Sequence, residues 1–461
     1  MGGRVPSGYA GQPAAGQNAA AGCDSPASQH FTRMHQTSVV SSARQWRPAG
    51  IVRAMTMVGA VSVGVAGCAG EASPDASTLT VLGPVTEFTA PAPAGSNTPH
   101  LTLDGAGRVL MSWTQRLPDS TVSIQMATWN DTGWDSTRTI ATARPFFVNW
   151  ADFPAITALG NGDLAAHWLE REGDKKYAYG VRVARSADGG RTWSAPVTPH
   201  TDGLLAEHGF VSLWPDGPDG VGLVWLDGRK SAMPDSTKEM TVRTASLTAA
   251  GTLEGEAVVD ARTCDCCQTG TAATRTGRVL VYRDRSDKEI RDINIVRKVA
   301  DGWSAPQNVH ADEWMYPGCP VNGPQVAALG DTVVVAWYTG ARDTARVNIA
   351  RSEDGGATFA PPIRVDDGDP IGRVDIVLDD QGHAVVVWLE QRSPTEAEVL
   401  ARKVVGTQLG EPRVISRTTG ARQSGFPRIV RHGSDVVAAW TTVNPLQVHV
   451  ARFAFTPTSP R

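Results

Sequence analysis

Seven aromatic residues end apolar runs at nearly even intervals along this chain: Trp113, Trp168, Trp225, Tyr282, Trp337, Trp388 and Trp440. Their spacings are 55, 57, 57, 55, 51 and 52 residues. Each unit repeats one order of events. A polar approach leads into a short apolar run, a Gly- or Asp-rich turn follows, and a second run ends in the marker aromatic. A charged loop, a third run and a weaker fourth complete the unit. Four short strands per unit of this length make a propeller blade. The expected fold is therefore all-β, a propeller of four-stranded blades, with seven blades by this count and six as the alternative if one unit is an insertion. The last unit has three clear strands, at 427–431, 436–441 and 448–455. Its fourth is expected from residues 78–88, which would close the ring and remove the exposed sheet edges of an open array.

Within the units one octet recurs. Ser186-Ala187-Asp188-Gly189-Gly190-Arg191-Thr192-Trp193 lies between a strand-like run at 179–184 and a second extended run at 194–198. Ser352-Glu353-Asp354-Gly355-Gly356-Ala357-Thr358-Phe359 repeats it, and Asp301-Gly302-Trp303 is a worn copy. The Asp can bond the backbone of its own turn, the two Gly can take positive φ, and the aromatic offers a large packing face. This octet resembles the Asp-box of the bacterial sialidase (neuraminidase) repeat, and the resemblance spans residues 78–455 at the level of blades. It implies a glycoside hydrolase cleaving a terminal acidic sugar, with Arg residues on the substrate carboxylate, a Tyr nucleophile with a Glu partner, and an Asp acid/base. Carried onto this chain, the clamp would draw on Arg283, Arg285, Arg291, Arg229 and Arg373. The acid would be Asp152 or Asp375, and Glu289 would partner a Tyr. Tyr316 is the candidate, because it alone among the tyrosines lies on an approach to the axis. Asp-boxes also occur in propellers that are not sialidases, so the motif speaks for fold before activity.

Charge and composition narrow the partners. Lys plus Arg (43) and Asp plus Glu (47) nearly balance, which excludes a general nucleic-acid binder. Residues 1–43 have no apolar period. Arg44, Arg47 and Arg53 then precede an apolar run at 54–67 that has the length of a signal-peptide core. It ends Val65-Ala66-Gly67-Cys68, which resembles a lipoprotein signal; the alternative is a plain secretory signal. The reading is a leader and signal at 1–67, a tether at 68–77 and one propeller domain at 78–461. The chain is expected to be exported to a bacterial cell envelope, anchored in the membrane through lipid on Cys68, and monomeric.

In a four-stranded blade the approach loops and the loops joining strands two and three share one face, so a site should form there, where the approaches converge on the axis. An Arg follows the marker aromatic in six of the seven units, densest in Arg283-Asp284-Arg285-Ser286-Asp287-Lys288-Glu289-Ile290-Arg291. A guanidinium fork suits the carboxylate of an anionic glycan or another small anionic ligand. Arg–Asp pairs at strand ends also tie neighbouring blades together, so both roles stay open. Cys264, Cys266 and Cys267 open one unit and Cys319 the next, which should bring four sulfurs together. Disulfides suit an exported protein. A thiolate site for zinc or copper(I), with His208 or His310 added, is the alternative, and a Cys nucleophile is a third. No cofactor is firmly implied. The two functional readings are a sialidase-like hydrolase and a propeller that binds a ligand, metal or partner without turnover.

Overall fold

A computed structural model of the chain describes residues 81–143, 146–234, 236–300 and 302–456. The leader, the tether, Cys68, the first residues of the closing segment and Asp301 lie outside the described residues.

The seven units fold as seven small antiparallel sheets. Blade 1 is Ser96–Leu103, Val109–Arg116, Val122–Trp129 and Arg138–Ala143. Blade 2 is Ala155–Ala158, Leu164–Arg171 and Tyr179–Ser186. Blade 3 is His208–Asp216, Gly220–Asp227, Met240–Leu247 and Leu253–Thr263. Blade 4 is Gly270–Thr274, Gly277–Arg283 and Ile293–Val299, with Gly302–Trp303 and Gln307–His310 both on its third strand. Blade 5 is Gln325–Leu329, Thr332–Thr339, Arg346–Ser352 and Ile363–Arg364. Blade 6 is Pro370–Leu378, Ala384–Gln391 and Ala397–Val405, with Gln408–Leu409 and Arg413–Thr418 outside it. Blade 7 is Arg428–His432, Asp435–Val443 and Leu446–Ala454.

The blade count is seven, and the six-blade alternative falls. Seven apolar clusters fill the molecule, each shared by two consecutive blades, and one of them joins blade 7 to blade 1. The second strands explain why the marker aromatics recur. Side chains of a strand alternate between its two faces. In blade 3, Val221, Leu223 and Trp225 pack toward blade 2, whereas Val224 and Leu226 pack toward blade 4. All seven markers face the preceding blade and are at most 3% exposed. A buried indole N–H needs an acceptor. The acid two residues on supplies it in three blades: Glu170 at 2.8 Å from Trp168, Asp227 at 2.8 Å from Trp225, and Glu390 at 2.7 Å from Trp388. These carboxylates also meet the Arg side chains around them, Asp227 with Arg229 and Glu390 with Arg392.

The ring closes as expected. Thr86–Phe88 pairs antiparallel with the last strand, Glu87 opposite Ala451, and Gly83 N–H donates to Ala454 C=O at 2.9 Å. Leu82, 2% exposed, packs against Phe453 and Phe455. The run at 194–198 fares less well. Only Val197 bridges to the third strand of blade 2, because Pro196 has no N–H to give a ladder.

Both full octets form one turn. Asp188 accepts the N–H groups of Arg191 and Thr192 at 3.0 and 2.9 Å, and the hydroxyls of Ser186 and Thr192. Asp354 does the same with Ala357, Thr358 and Ser352. Gly190 has φ 87°, and a Cβ there would lie 2.5 Å from Met126 Sδ in the core. Gly190→Ala is therefore expected to cost about 1–3 kcal/mol in urea denaturation. Gly189→Ala, at φ 74° with open space, should cost only about 1 kcal/mol.

Candidate functional site

The approach loops meet over the axis and are laced together. Gln268 Nε2 donates to Ala151 C=O at 2.6 Å, while its Oε1 accepts Gly323 N–H at 3.0 Å. Asn322 Oδ1 accepts Arg373 N–H at 2.7 Å. Thr98, Phe210 and Arg373, at register breaks early in the first strands of blades 1, 3 and 6, and Val321, in the approach to blade 5, all take positive φ, between 48° and 57°. Four left-handed non-glycine residues around one mouth mark backbone held by its surroundings. Beneath lies an axial cavity of about 190 Å³, lined among others by His100, Asp152, Phe210, Gln268 and Arg428.

The structure separates the predicted anion clamp. Arg283 is 1% exposed and spends its fork on backbone: Nε and Nη2 on Asn322 C=O (2.9 and 2.7 Å), Nη2 on Tyr338 C=O (2.6 Å), and Nη1 on Arg291 C=O. Trp314 covers its face at 4.9 Å. Arg373 donates to the carbonyls of Ala421, Gly425 and Gly420, and lies 4.6 Å from the ring centroid of Trp150. Trp150 and Phe153 stack near Phe426, so aromatic rings roof this side of the mouth. Arg229 lies apart on blade 3, paired with Asp227, Glu256 and Asp202. Arg285 and Arg291 do come together, both on Glu289, with Asp265 on the far side of Arg285.

The predicted acids are also separate. Asp152 accepts Phe210 N–H at 2.8 Å, and its other oxygen is buried without a partner. Burial holds its carboxyl well above the usual range, with the negative charge of Glu207 adding to the effect. Asp375 accepts Ile376 and Ile429 N–H and lies 3.3 Å from Arg428; burial raises its pKa too. Glu289 is bound by arginines, and no Tyr hydroxyl reaches it among the described contacts. Tyr316 is 39% exposed and stacks on Trp314 at 5.3 Å.

The Tyr–Glu pair that does form was not among the expected residues. Tyr179, the first residue of its strand, donates its hydroxyl to Glu207, one residue before blade 3 begins. Burial raises the Glu207 carboxyl to about 7 against the Tyr179 hydrogen bond. The signal available was a carboxylate directly ahead of His208; its partner is 28 residues away and gave none. A carboxyl that binds its proton more tightly when folded favours the folded state while it is protonated. That benefit is complete below the ordinary value of 4.5 and is lost as pH rises through about 7. Glu207→Gln should remove this loss, worth up to about 3 kcal/mol. Urea midpoints at about pH 5 and pH 8 check it, and an equal fall in both chains would count against it.

The cysteines converge. Cys264 Sγ lies 3.2 Å from Cys267 Sγ and 3.9 Å from Cys266 Sγ, and the three sulfurs lie within 4.8 Å of one another. Cys319 reaches Cys266 as a thiol hydrogen-bond partner. No disulfide joins the four; a covalent bond would need about 2.05 Å. His208 lies elsewhere, on Asp202 at 3.0 Å and stacked on His200, and His310 pairs with Asp312 at 3.8 Å. Burial pushes the Cys264 thiol up to about 12. Cys267 goes the other way. Burial resists its ionisation, but the Cys264 and Cys266 thiols, the Arg283 charge and the Asn322 N–H outweigh it and hold its pKa well below the usual thiol value. Arg291 is buried, its charge acts on Cys264, and its Nη1 has no hydrogen-bond partner.

No protein-family model matches this chain, and no curated protein matches it. Among solved structures it is similar to a protein of unknown function from Dyadobacter fermentans DSM 18053, at 13% identity and TM-score 0.47, over 81% of this chain and 98% of that one. It is also similar to the α-L-arabinanase of Penicillium chrysogenum complexed with arabinobiose (12% identity, TM-score 0.42, 82% and 97% covered). A third is the NanB sialidase of Streptococcus pneumoniae (11% identity, TM-score 0.39, 81% and 70% covered).

Proposed function

We propose that this chain is an exported, lipid-anchored propeller that binds a thiophilic metal ion, copper(I) or zinc, through Cys264, Cys266, Cys267 and Cys319. The observation that carries the reading is the convergence of four thiols from two consecutive approach loops. A tetrahedral zinc–thiolate centre, with Zn–S near 2.3 Å, sets its sulfurs about 3.8 Å apart. The separations of 3.2 and 3.9 Å at Cys264 bracket that figure. The donor set is all sulfur, which favours soft ions. Four thiolates around a divalent ion leave two negative charges, and two buried guanidiniums, Arg283 and Arg291, act on this cluster. The anchor at Cys68 rests on the leader sequence alone.

The test is metal analysis of the full-length chain purified under reductant, followed by copper(I) transfer from a bicinchoninate complex. About one ion per chain is expected, with uptake lost in a Cys264→Ser, Cys267→Ser double variant. Uptake of neither metal by a chain in which Cys264, Cys266, Cys267 and Cys319 are all titratable thiols would overturn the reading. So would a metal-free chain purified under air in which these four of its six cysteines are all in disulfides.

A sialidase-like hydrolase is the second reading, favoured by one observation: Tyr179 is hydrogen-bonded to Glu207 with Asp152 close by, so that burial first and then the charges of Glu207 and Asp152 raise the Tyr179 pKa, while burial first and then the Glu207 charge raise that of Asp152. Against it stands the burial of Tyr179, 1% exposed, which pushes its phenol up rather than down. Release of methylumbelliferone from an N-acetylneuraminate glycoside, abolished by Glu207→Gln, would favour this reading over the first.

A further inference from the structure

The face opposite the cysteine mouth, where strands one and two and strands three and four turn, carries a groove between blades 3 and 4. Its volume is about 490 Å³. Trp214, near the end of the first strand of blade 3, and Trp303, in the worn octet of blade 4, form two walls. Their rings meet edge to face at 6.3 Å. Arg278 lies 5.3 Å from the Trp214 ring and Lys298 5.3 Å from the Trp303 ring. Gly255 and Gly302 line the groove, and a Cβ at either would meet nothing within 4 Å, so the space is open. A second cavity of about 290 Å³ adjoins it, shares Arg278 and Lys298, and adds Arg297.

Arg278 is the informative residue. Three other buried arginines, Arg283, Arg373 and Arg402, each make several hydrogen bonds. Arg278 makes one, from Nη1 to Thr271 Oγ1 at 3.2 Å, and among the described residues no carboxylate lies within 4.0 Å of it. Burial pushes its pKa down to about 10, with only Asp216 acting the other way. A half-buried cation without a counter-ion is costly to keep unless something else uses it.

We propose that this groove binds an acidic saccharide, with the sugar ring against the part-exposed Trp303 and its carboxylate or sulfate on Arg278 and Lys298, while the buried Trp214 backs Arg278. An indole face takes the C–H face of a sugar ring, and a guanidinium matches a planar anion with two hydrogen bonds. The perpendicular setting of the two indoles leaves no parallel slot for a flat base. Asp216, exposed on the rim and accepting the Ser246 hydroxyl, offers an acceptor for ring hydroxyls. The cysteine mouth plays no part in this site.

The test uses the full-length chain, isothermal titration and tryptophan fluorescence, with N-acetylneuraminate, glucuronate, glucose 6-sulfate and glucose as probes. At least one acid is expected to bind about tenfold or more tightly than glucose, and the carboxylates against the sulfate identify the anion. Arg278→Gln should weaken that acid about tenfold while leaving the melting temperature unchanged or raised, because it removes an unpaired charge. Trp303→Ala should lose binding and Trp303→Phe recover part of it. Equal affinity for glucose, unchanged binding in Arg278→Gln, or no binding of any acid to the parent chain would each overturn the proposal.

Discussion

An Arg283→Met chain is expected to lose about 3–5 kcal/mol of stability, a large share of the roughly 5–15 kcal/mol that holds a domain together. The side chains are similar in length, so the loss is not one of volume. Arg283 is 1% exposed and satisfies carbonyls of Asn322 and Arg291, in two separate loops, and of Tyr338, near the end of the second strand of blade 5. Methionine leaves those oxygens buried with no donor, each costing about 1–3 kcal/mol. Lysine keeps the charge but is a single ammonium that cannot span all three, so Arg283→Lys should recover less than half. Because the Asn322 loop also holds Cys319, and Cys264 N–H donates to the Arg283 carbonyl at 3.1 Å, the proposed metal uptake should fall with stability. The measurement is urea denaturation beside Arg108→Met, a 55%-exposed partner of Asp104 that should cost less than about 1 kcal/mol. An Arg283→Met midpoint matching that of Arg108→Met would show that the tie holds nothing.

The second large effect concerns the ring closure. A chain beginning after Phe88 should melt roughly 10 °C lower and associate in solution. Leu82 alone, buried among Phe453, Phe455 and Val436, accounts for about 2–5 kcal/mol. The ladder from Thr86 to Phe88 also disappears, leaving the strand Leu446–Ala454 as a bare edge. Size-exclusion chromatography and thermal unfolding read both consequences, and a peptide of residues 78–90 supplied separately should restore the monomer. A truncated chain that stays monomeric with an unchanged melting temperature would mean that blade 7 is complete with three strands.

The period of the marker aromatics was legible in the sequence because each sits at one place in a two-residue alternation, facing the preceding blade. The closing segment was legible because blade 7 visibly lacked a strand. The gathering of the cysteines followed from approach loops that must converge. What a linear reading could not reach was the direction of individual side chains. Arg283 and Arg285 look alike in the run that holds them, yet one is sealed against carbonyls and the other pairs with Asp265 and Glu289 at the mouth. Tyr179 and Glu207 meet because two blades meet, and neither carries a local signature. Arg278 is the second residue of a strand in an unremarkable stretch, and only the fold sets it beside Trp214.

The strand Gly277–Arg283 carries a consequence for how this protein can change over evolution. Arg278 leans toward blade 3 beside Trp214, and Arg283 leans toward blade 5 beneath Tyr338. Five positions apart is an odd number, so alternation sends the two forks to opposite neighbours. Deleting or inserting a single residue between them would turn one fork to the wrong side. The segment is thus a spacer of fixed parity. Its side chains can drift among apolar types, but its length is locked, and lineages that keep both ends in use should vary in the turns around it and never within it.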